Sequence, residues 1–308
     1  MSRRAGLALA LTALALGGCG LGAGDKPAGT TLTVTRDFGR DQLRRSTAPR
    51  VAGSETVMRL LGRNAKITTR YGGGFVQSID GLTGGERDGR PVDWFFYVNG
   101  VESRAGAAAV KLKPGDRVWW DNHDWSETQT IPAVVGSFPE PFVHGLGGRR
   151  LPVRVECQDP RGDACSVVSQ RLAKLGVPVA RGGIRAARVE RTLRLVVAPL
   201  SAIGEDPSLS VLRGGPRTSG VYVRTARDGR SFTTLDPAGQ AVVRHGAGDG
   251  LIAAVRSGGD EEPVWAVTGV DTAGVERAAQ AFGEAALRNR FAVLVTPAGA
   301  RGLPETGR

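Results

Sequence analysis

Trp94-Phe95-Phe96-Tyr97-Val98-Asn99-Gly100 is the stretch that decides the fold of the first half of this chain. Five consecutive strand formers run into Asn-Gly, a favoured two-residue hairpin turn. Side chains alternate between faces along a strand. Trp94, Phe96 and Val98 therefore share one face, and Phe95 and Tyr97 the other. One set has to be core. The other set is the informative one: it is covered by a further element, or it forms an exposed apolar patch that marks a binding surface. Trp119 and Trp120 also point opposite ways.

Working outward, residues 31–35 alternate as a strand. Ser54 reads as a helix N-cap before Val57, Leu60 and Leu61 at i, i+3, i+4 spacing, with Gly62 as a stop. Residues 67–71 and 75–79 read as strands on either side of Gly72-Gly73-Gly74. Lys113-Pro114-Gly115-Asp116 is a turn into Val118-Trp119-Trp120. The pattern predicts a small α+β domain over residues 30–130, with one helix packed across one sheet.

Three segments carry a family resemblance. They are Tyr-Gly-Gly-Gly-Phe-Val-Gln-Ser-Ile-Asp-Gly-Leu (71–82), Trp-Phe-Phe-Tyr-Val-Asn-Gly (94–100) and Leu-Lys-Pro-Gly-Asp-Arg-Val-Trp-Trp (112–120). Together they resemble the transcobalamin C-terminal-like domain and, beyond it, the small β-domain of intrinsic factor and transcobalamin. The match covers about a third of the chain. The resemblance implies a β-grasp, ubiquitin-like fold. In the vitamin carriers this domain closes over one face of cobalamin against a separate helical barrel. No helical-repeat barrel is legible in this sequence, and half a clamp leaves one ligand face wet. The candidate ligand-binding residues are Tyr71, Gly72, Gly73, Gly74, Phe75, Phe95, Tyr97 and Asn99.

Pro132, Pro139 and Pro141, with a Gly/Arg-rich end, suggest a linker over 131–150. An α/β sandwich domain is expected over 151–299, of two or three layers, and a disordered tail over 300–308. Residues 152–156 read as a strand. Asp163 caps a helix with Val168, Leu172 and Leu175 on one face. Asp228-Gly229 signals a hairpin. Asp271 or Thr272 caps a helix that bears Val275, Ala279, Phe282 and Ala286. A strand–helix–strand unit of this kind favours a right-handed parallel crossover. Ligands in such sheets bind at strand carboxyl ends, which directs attention to residues 268–272. Ordinary capping by Asp271 competes with any anion there.

At the N-terminus, Arg3-Arg4 and the apolar stretch 5–16 read as an export signal, too short to span a bilayer. Leu16-Gly17-Gly18-Cys19 resembles the lipobox of bacterial lipoproteins. It implies a signal peptide over 1–18, lipidation at Cys19 and a flexible tether over 19–29. The chain is then expected on the extracytoplasmic face of a cell membrane. Cys157 and Cys165, eight residues apart in an exported chain, are expected to form a disulfide. The formal charge of +11 is thinly spread, apart from Arg181, Arg185, Arg188, Arg191 and Arg194. Those arginines suit anionic lipid or wall polymer, or simply a solvated face. Nucleic acid is an unsuitable partner outside the cell.

No nucleophile elbow, phosphate-binding loop or metal-ligand spacing is present in the sequence. His123, in Asp121-Asn122-His123-Asp124, is the nearest thing to a catalytic base, and no nucleophile accompanies it. Leu303-Pro304-Glu305-Thr306-Gly307 has the form of a sorting motif but lacks the apolar helix that makes one work. The expected function is binding without catalysis, cofactor or metal. It would be capture of a cobalamin-like small molecule for a membrane transporter or, alternatively, adaptor contacts with proteins or the cell wall.

Overall fold

The computed structural model describes residues 29–48, 50–184, 190–257 and 262–305. The fold is mixed α+β, mostly strands with few helices. In the first half the strands are β1 (Thr30–Arg36), β2 (Asp41–Ala48), β3 (Ile67–Arg70), β4 (Phe75–Ile79), β5 (Leu82–Thr83), β6 (Gly85–Arg87), β7 (Arg90–Val98), β8 (Val101–Glu102) and β9 (Arg117–Asp124). The main sheet has the order β2-β1-β9-β7-β6, with β8 on β7. Its two central strands, β1 and β9, are parallel, and β9 and β7 are antiparallel. A smaller β3-β4-β5 sheet lies beside it.

Helix α1 (Val57–Asn64) lies against the main sheet through Val57, Leu60 and Leu61, which pack with Leu32, Val34, Trp94, Val118 and Trp120. Its cap is Thr56 rather than Ser54. Thr56 Oγ1 accepts from the Arg59 amide at 3.2 Å. Gly62 does not stop the helix either; it continues to Asn64, and the Ala65 amide closes the last turn on Leu61 O. A single glycine costs a helix about 1 kcal/mol, less than burial of Leu60 and Leu61 returns.

The second half is built on a seven-stranded sheet. Its strands are β10 (Val153–Cys157), β11 (Val179–Gly183), β12 (Leu193–Pro199), β16 (Gly250–Val255), β17 (Val264–Gly269), β18 (Ala292–Thr296) and β19 (Gly299–Leu303), in the order β11-β10-β12-β17-β16-β18-β19. The first four in that order are parallel and the remainder antiparallel. Alternation sends Val155, Leu195, Trp265 and Val293 to one face, under α2 (Asp163–Lys174) and α5 (Thr272–Ala281). Val196, Ala198, Ala253 and Leu294 go to the other face. That face is covered by α3 (Leu200–Ile203), by segments around Leu209 and Leu212 that lead into α4 (Pro216–Ser219), and by Phe232 of a small sheet. The small sheet comprises β13 (Val223–Thr225), β14 (Phe232–Leu235) and β15 (Ala241–His245). The hairpin expected at Asp228-Gly229 joins β13 to β14. Cys157 and Cys165 are disulfide-bonded, tying the end of β10 to the first turn of α2.

Two boundaries differ from expectation. Residues 131–150 are not an exposed linker. Ile131 and Val134 are buried against the first half, while Phe138 and Phe142 pack on Trp265 and Phe282 of the second. Prolines indicate where regular structure stops. They do not indicate exposure, and the apolar residues between them still have to be buried. Residues 300–303 of the expected tail 300–308 are not disordered, because β19 pairs with β18. Residues 306–308, and the signal, Cys19 and all of the tether except residue 29, lie outside the described residues.

Candidate functional site

Strand β7 has no free face. Trp94 is buried beneath α1, its indole Nε1 donating to Leu82 O at 3.1 Å, and Phe96 packs on Trp120 with centroids 4.9 Å apart. On the opposite face Tyr97 and Trp119 are buried with Phe38, Ile131, Val134, Tyr222, Leu235 and Phe291, and Phe95 packs beside them. Tyr222, Leu235 and Phe291 come from the second half. The expectation that Phe95 and Tyr97 face a ligand is therefore corrected: the second half of the chain covers them. Gly136 shows how closely the halves approach. A Cβ there would lie 2.6 Å from the Trp119 ring and 2.6 Å from the Arg290 backbone nitrogen.

Asn99 is also not a ligand residue. The Asn99-Gly100 turn forms as expected between β7 and β8, with φ of 53° and 79°. The Asn99 side chain is fully buried. Its amide donates to Asp116 Oδ1 and to Gly145 O, both at 2.8 Å, and its oxygen accepts from the Arg117 backbone amide at 2.8 Å. With both N–H groups and the oxygen engaged, it fastens three loops together.

Residues 71–75 behave differently. Tyr71 is 85% exposed, and its φ of 53° is in the left-handed region, as are Gly72 at 69° and Gly73 at 92°. Such a backbone is uncommon for a bulky residue. Phe75 is half-buried and meets the Tyr71 ring edge-on at 6.2 Å. A Cβ added at Gly106 of the 103–109 loop would lie 3.5 Å from Gly74 O. Of the eight expected ligand-binding residues, the structure groups Tyr71, Gly72, Gly73, Gly74 and Phe75 in one projecting turn and places Phe95, Tyr97 and Asn99 elsewhere, in the interior.

His123 is sealed between Phe95 (4.4 Å, stacked), Phe38 and Phe291. Burial holds it neutral, with its pKa lowered to about 3. Neighbouring Asp121 is fully buried and accepts from the Gly39 amide at 3.0 Å, while burial pushes its pKa up to about 8. Held neutral by burial and enclosed by three aromatic rings, His123 contributes to packing. At the other predicted site, Asp271 accepts from Gly274 and Gly248 amides at 2.9 and 3.0 Å. That occupies the N-terminus of α5. Among the described residues no group of three or more His, Cys, Asp or Glu side chains could hold a metal ion, and no helix is long and apolar enough to cross a membrane.

Two cavities escaped the sequence. One, of about 680 Å³, lies beside the carboxyl ends of β10 and β11 and is bordered by Cys157, Gln158, Arg194 and Asp206. Arg194 is matched there by Glu156 at 2.7 Å and Asp206 at 2.5 Å. The other, of about 430 Å³, lies where the 37–42 turn of the first half meets residues 288–290 and 301–305 of the second. Its residues are some 250 positions apart in the chain, so no local motif could announce it.

No curated protein matches this chain. A crystal structure of a chain from Ruminococcus gnavus ATCC 29149, provisionally described as a metal binding protein, aligns over 32% of this chain and 97% of its own. The identity is 14% and the TM-score 0.25. A likeness at that level carries no argument about fold or metal. The segment from the start of the α1 cap region to the end of β9, residues 54–124, matches the family described as a domain of unknown function, DUF4430.

Proposed function

We propose that this chain is an extracytoplasmic binding protein, held at a membrane by lipid on Cys19, with a β-grasp-like first half and the projecting 71–75 turn as its contact element. The observation that supports this is Tyr71. Its ring stands 85% exposed on a backbone held at positive φ, between a strand and two left-handed glycines. A single exposed aromatic is ordinary. One placed there against its backbone preference, at a cost of order 1 kcal/mol or more, has a use other than packing. Binding without catalysis is supported by the sealed, neutral state of His123.

The cobalamin-like reading lays a flat ring system against Tyr71 and Phe75, before transfer to a membrane transporter. Titrating the full chain with cobalamin and following the visible spectrum tests it. A saturable change that disappears in Tyr71→Ala is expected, and an unchanged spectrum at high micromolar ligand overturns it. The adaptor reading is favoured by one feature: Tyr71 projects outward, and none of the cavities described above includes it. A photo-crosslinking residue at position 71, activated in intact cells, is expected to yield a discrete protein or wall adduct. No adduct would remove that reading. Anchoring has its own test. Cys19→Ser is expected to move the chain from the membrane fraction to the soluble one, and unchanged fractionation would exclude lipid as the tether.

A further inference from the structure

The junction cavity is lined by more positive than negative side chains. Four of its residues are arginines: Arg40 from the turn after β1, Arg288 and Arg290 from the turn before β18, and Arg301 from β19. Two carboxylates also line it, Asp37 and Glu305, and the buried Glu305 Oε1 has no hydrogen-bond partner. Asp37 pairs with Arg87 at 2.5 Å, and Glu305 lies 4.0 Å from Arg301 and 3.8 Å from His245. Arg288 is matched from outside the cavity by Glu284 at 3.3 Å.

Arg290 is the exception. Its guanidinium is half-buried and donates to the carbonyl of Ala300 at 3.0 Å, and among the described residues no carboxylate stands within ion-pair distance of it. Burial alone lowers its pKa, with no opposing charge to restore it. Buried charges are ordinarily paired, because desolvation is otherwise uncompensated. Arg194, beside the other cavity, is by contrast clamped between Glu156 and Asp206, while Arg171, like Arg290, rests on carbonyl oxygens but lines neither cavity. Arg40, exposed on the opposite wall, likewise has no acidic partner among the described residues.

We infer that the cleft between the two halves binds a phosphate-bearing anion, with Arg290 as the inner contact and Arg40 and Arg301 closing on it from the rim. The planar guanidinium fork matches phosphate oxygens two at a time, and a phosphate group brings more than one charge to a cleft whose four arginines outnumber its two carboxylates. About 430 Å³ admits a diphosphate or a small phosphorylated molecule and excludes a bulky macrocycle. The cleft is distinct from the 71–75 turn, so the two assignments stand or fall separately.

Calorimetric titration of the full chain with inorganic pyrophosphate tests the inference. One site per chain is expected, weakening as salt rises from about 50 to about 200 mM as screening requires. Arg290→Gln is expected to reduce affinity tenfold or more. Arg40→Gln and Arg301→Gln, at exposed positions where folding is unaffected, should reduce it several-fold each, whereas Arg227→Gln, outside the cleft, should leave it unchanged. Tighter binding of a short-chain phosphatidic acid than of pyrophosphate would identify a lipid headgroup as the source, and the reverse order a soluble phosphate. Absence of heat at millimolar pyrophosphate in low salt overturns the inference. So does a loss as large in Arg227→Gln as in Arg40→Gln and Arg301→Gln.

Discussion

Residues 71–75 and residues 95–100 carry the same local signals, aromatic side chains beside a left-handed Gly or Asn, and the fold uses them in opposite ways. Tyr71 stands in solvent, while Tyr97 and Asn99 are fully buried. Nothing within either segment sets the difference. For Tyr97 it is set by Tyr222, Leu235 and Phe291, from more than a hundred positions further on, which close over it and not over Tyr71; for Asn99 it is set by Asp116 and Gly145. An aromatic face in a small domain needs a cover, from the same chain or from elsewhere. Here one such surface is satisfied by the chain's own second half.

The largest effect separating the two regions belongs to Trp119, at the centre of the shared core with Phe291 5.0 Å away and Thr35 accepting its indole N–H at 2.7 Å. Trp119→Ala is expected to cost about 3–5 kcal/mol. It should lower the unfolding midpoint of both halves together, as read by chemical denaturation. Separate transitions, with the second half unmoved, would show that the halves are stabilised independently.

Next in size is the disulfide, which touches only the second half. Replacing Cys157 and Cys165 by Ser, releasing a short loop, should cost about 2–3 kcal/mol. Its effect should be confined to the stability of that half unless the shared core couples them. Asn99→Ala follows at about 1–3 kcal/mol, because it leaves the Asp116 carboxylate and the Gly145 carbonyl without their buried donor. A ligand-contact role for Asn99 would instead predict near-zero change in thermal stability.

The legibility of these regions follows from the range of the interactions. The aromatic run, the Asn-Gly turn, Val57/Leu60/Leu61 and the Cys157–Cys165 pair were readable because each is decided within about ten residues. The covering of Phe95 and Tyr97 was not readable, since periodicity identifies two apolar faces without saying what meets them. Composition misled at 131–150, where Pro and Gly suggested a linker while Phe138 and Phe142 supplied core. Strand β2, polar and without a single buried residue, has no hydrophobic alternation to show it. Arg290 reads in the sequence like any other arginine, because which side chains stand around it among the described residues is a fact about space.

The buried junction should also respond to pH. Asp121, with its pKa raised to about 8, and Glu102, raised to about 7, hold protons in the folded chain that the unfolded chain releases near pH 4. Folding then binds protons, so this contribution is lost as pH rises toward 8. His123, held at about 3, acts in the opposite sense: the unfolded chain takes up its proton below about pH 6.5, so stability rises with pH up to that point. The two oppose each other below about pH 6.5 and leave a net fall of about 1–2 kcal/mol between about 6.5 and 8. Asp121→Asn, which can still accept from Gly39, should flatten that fall in denaturation midpoints. An equally steep decline in the variant would place the titrating group elsewhere.

Tyr71→Ala should have the smallest effect on stability and the sharpest meaning. A ring 85% exposed has little burial to lose. Removing a side chain from a left-handed position leaves the backbone preference nearly unchanged, so the expected shift is within about 0.5 kcal/mol. Tyr71→Gly should be neutral or slightly stabilising, because glycine adopts positive φ without strain. Measured beside Tyr97→Ala, which empties a fully buried site at a cost of about 3–5 kcal/mol, the pair tests whether one residue type serves partners at position 71 and the fold at position 97. A large loss of stability at 71 would mean that its ring is covered in the working protein, and the covering group would then be the partner to identify.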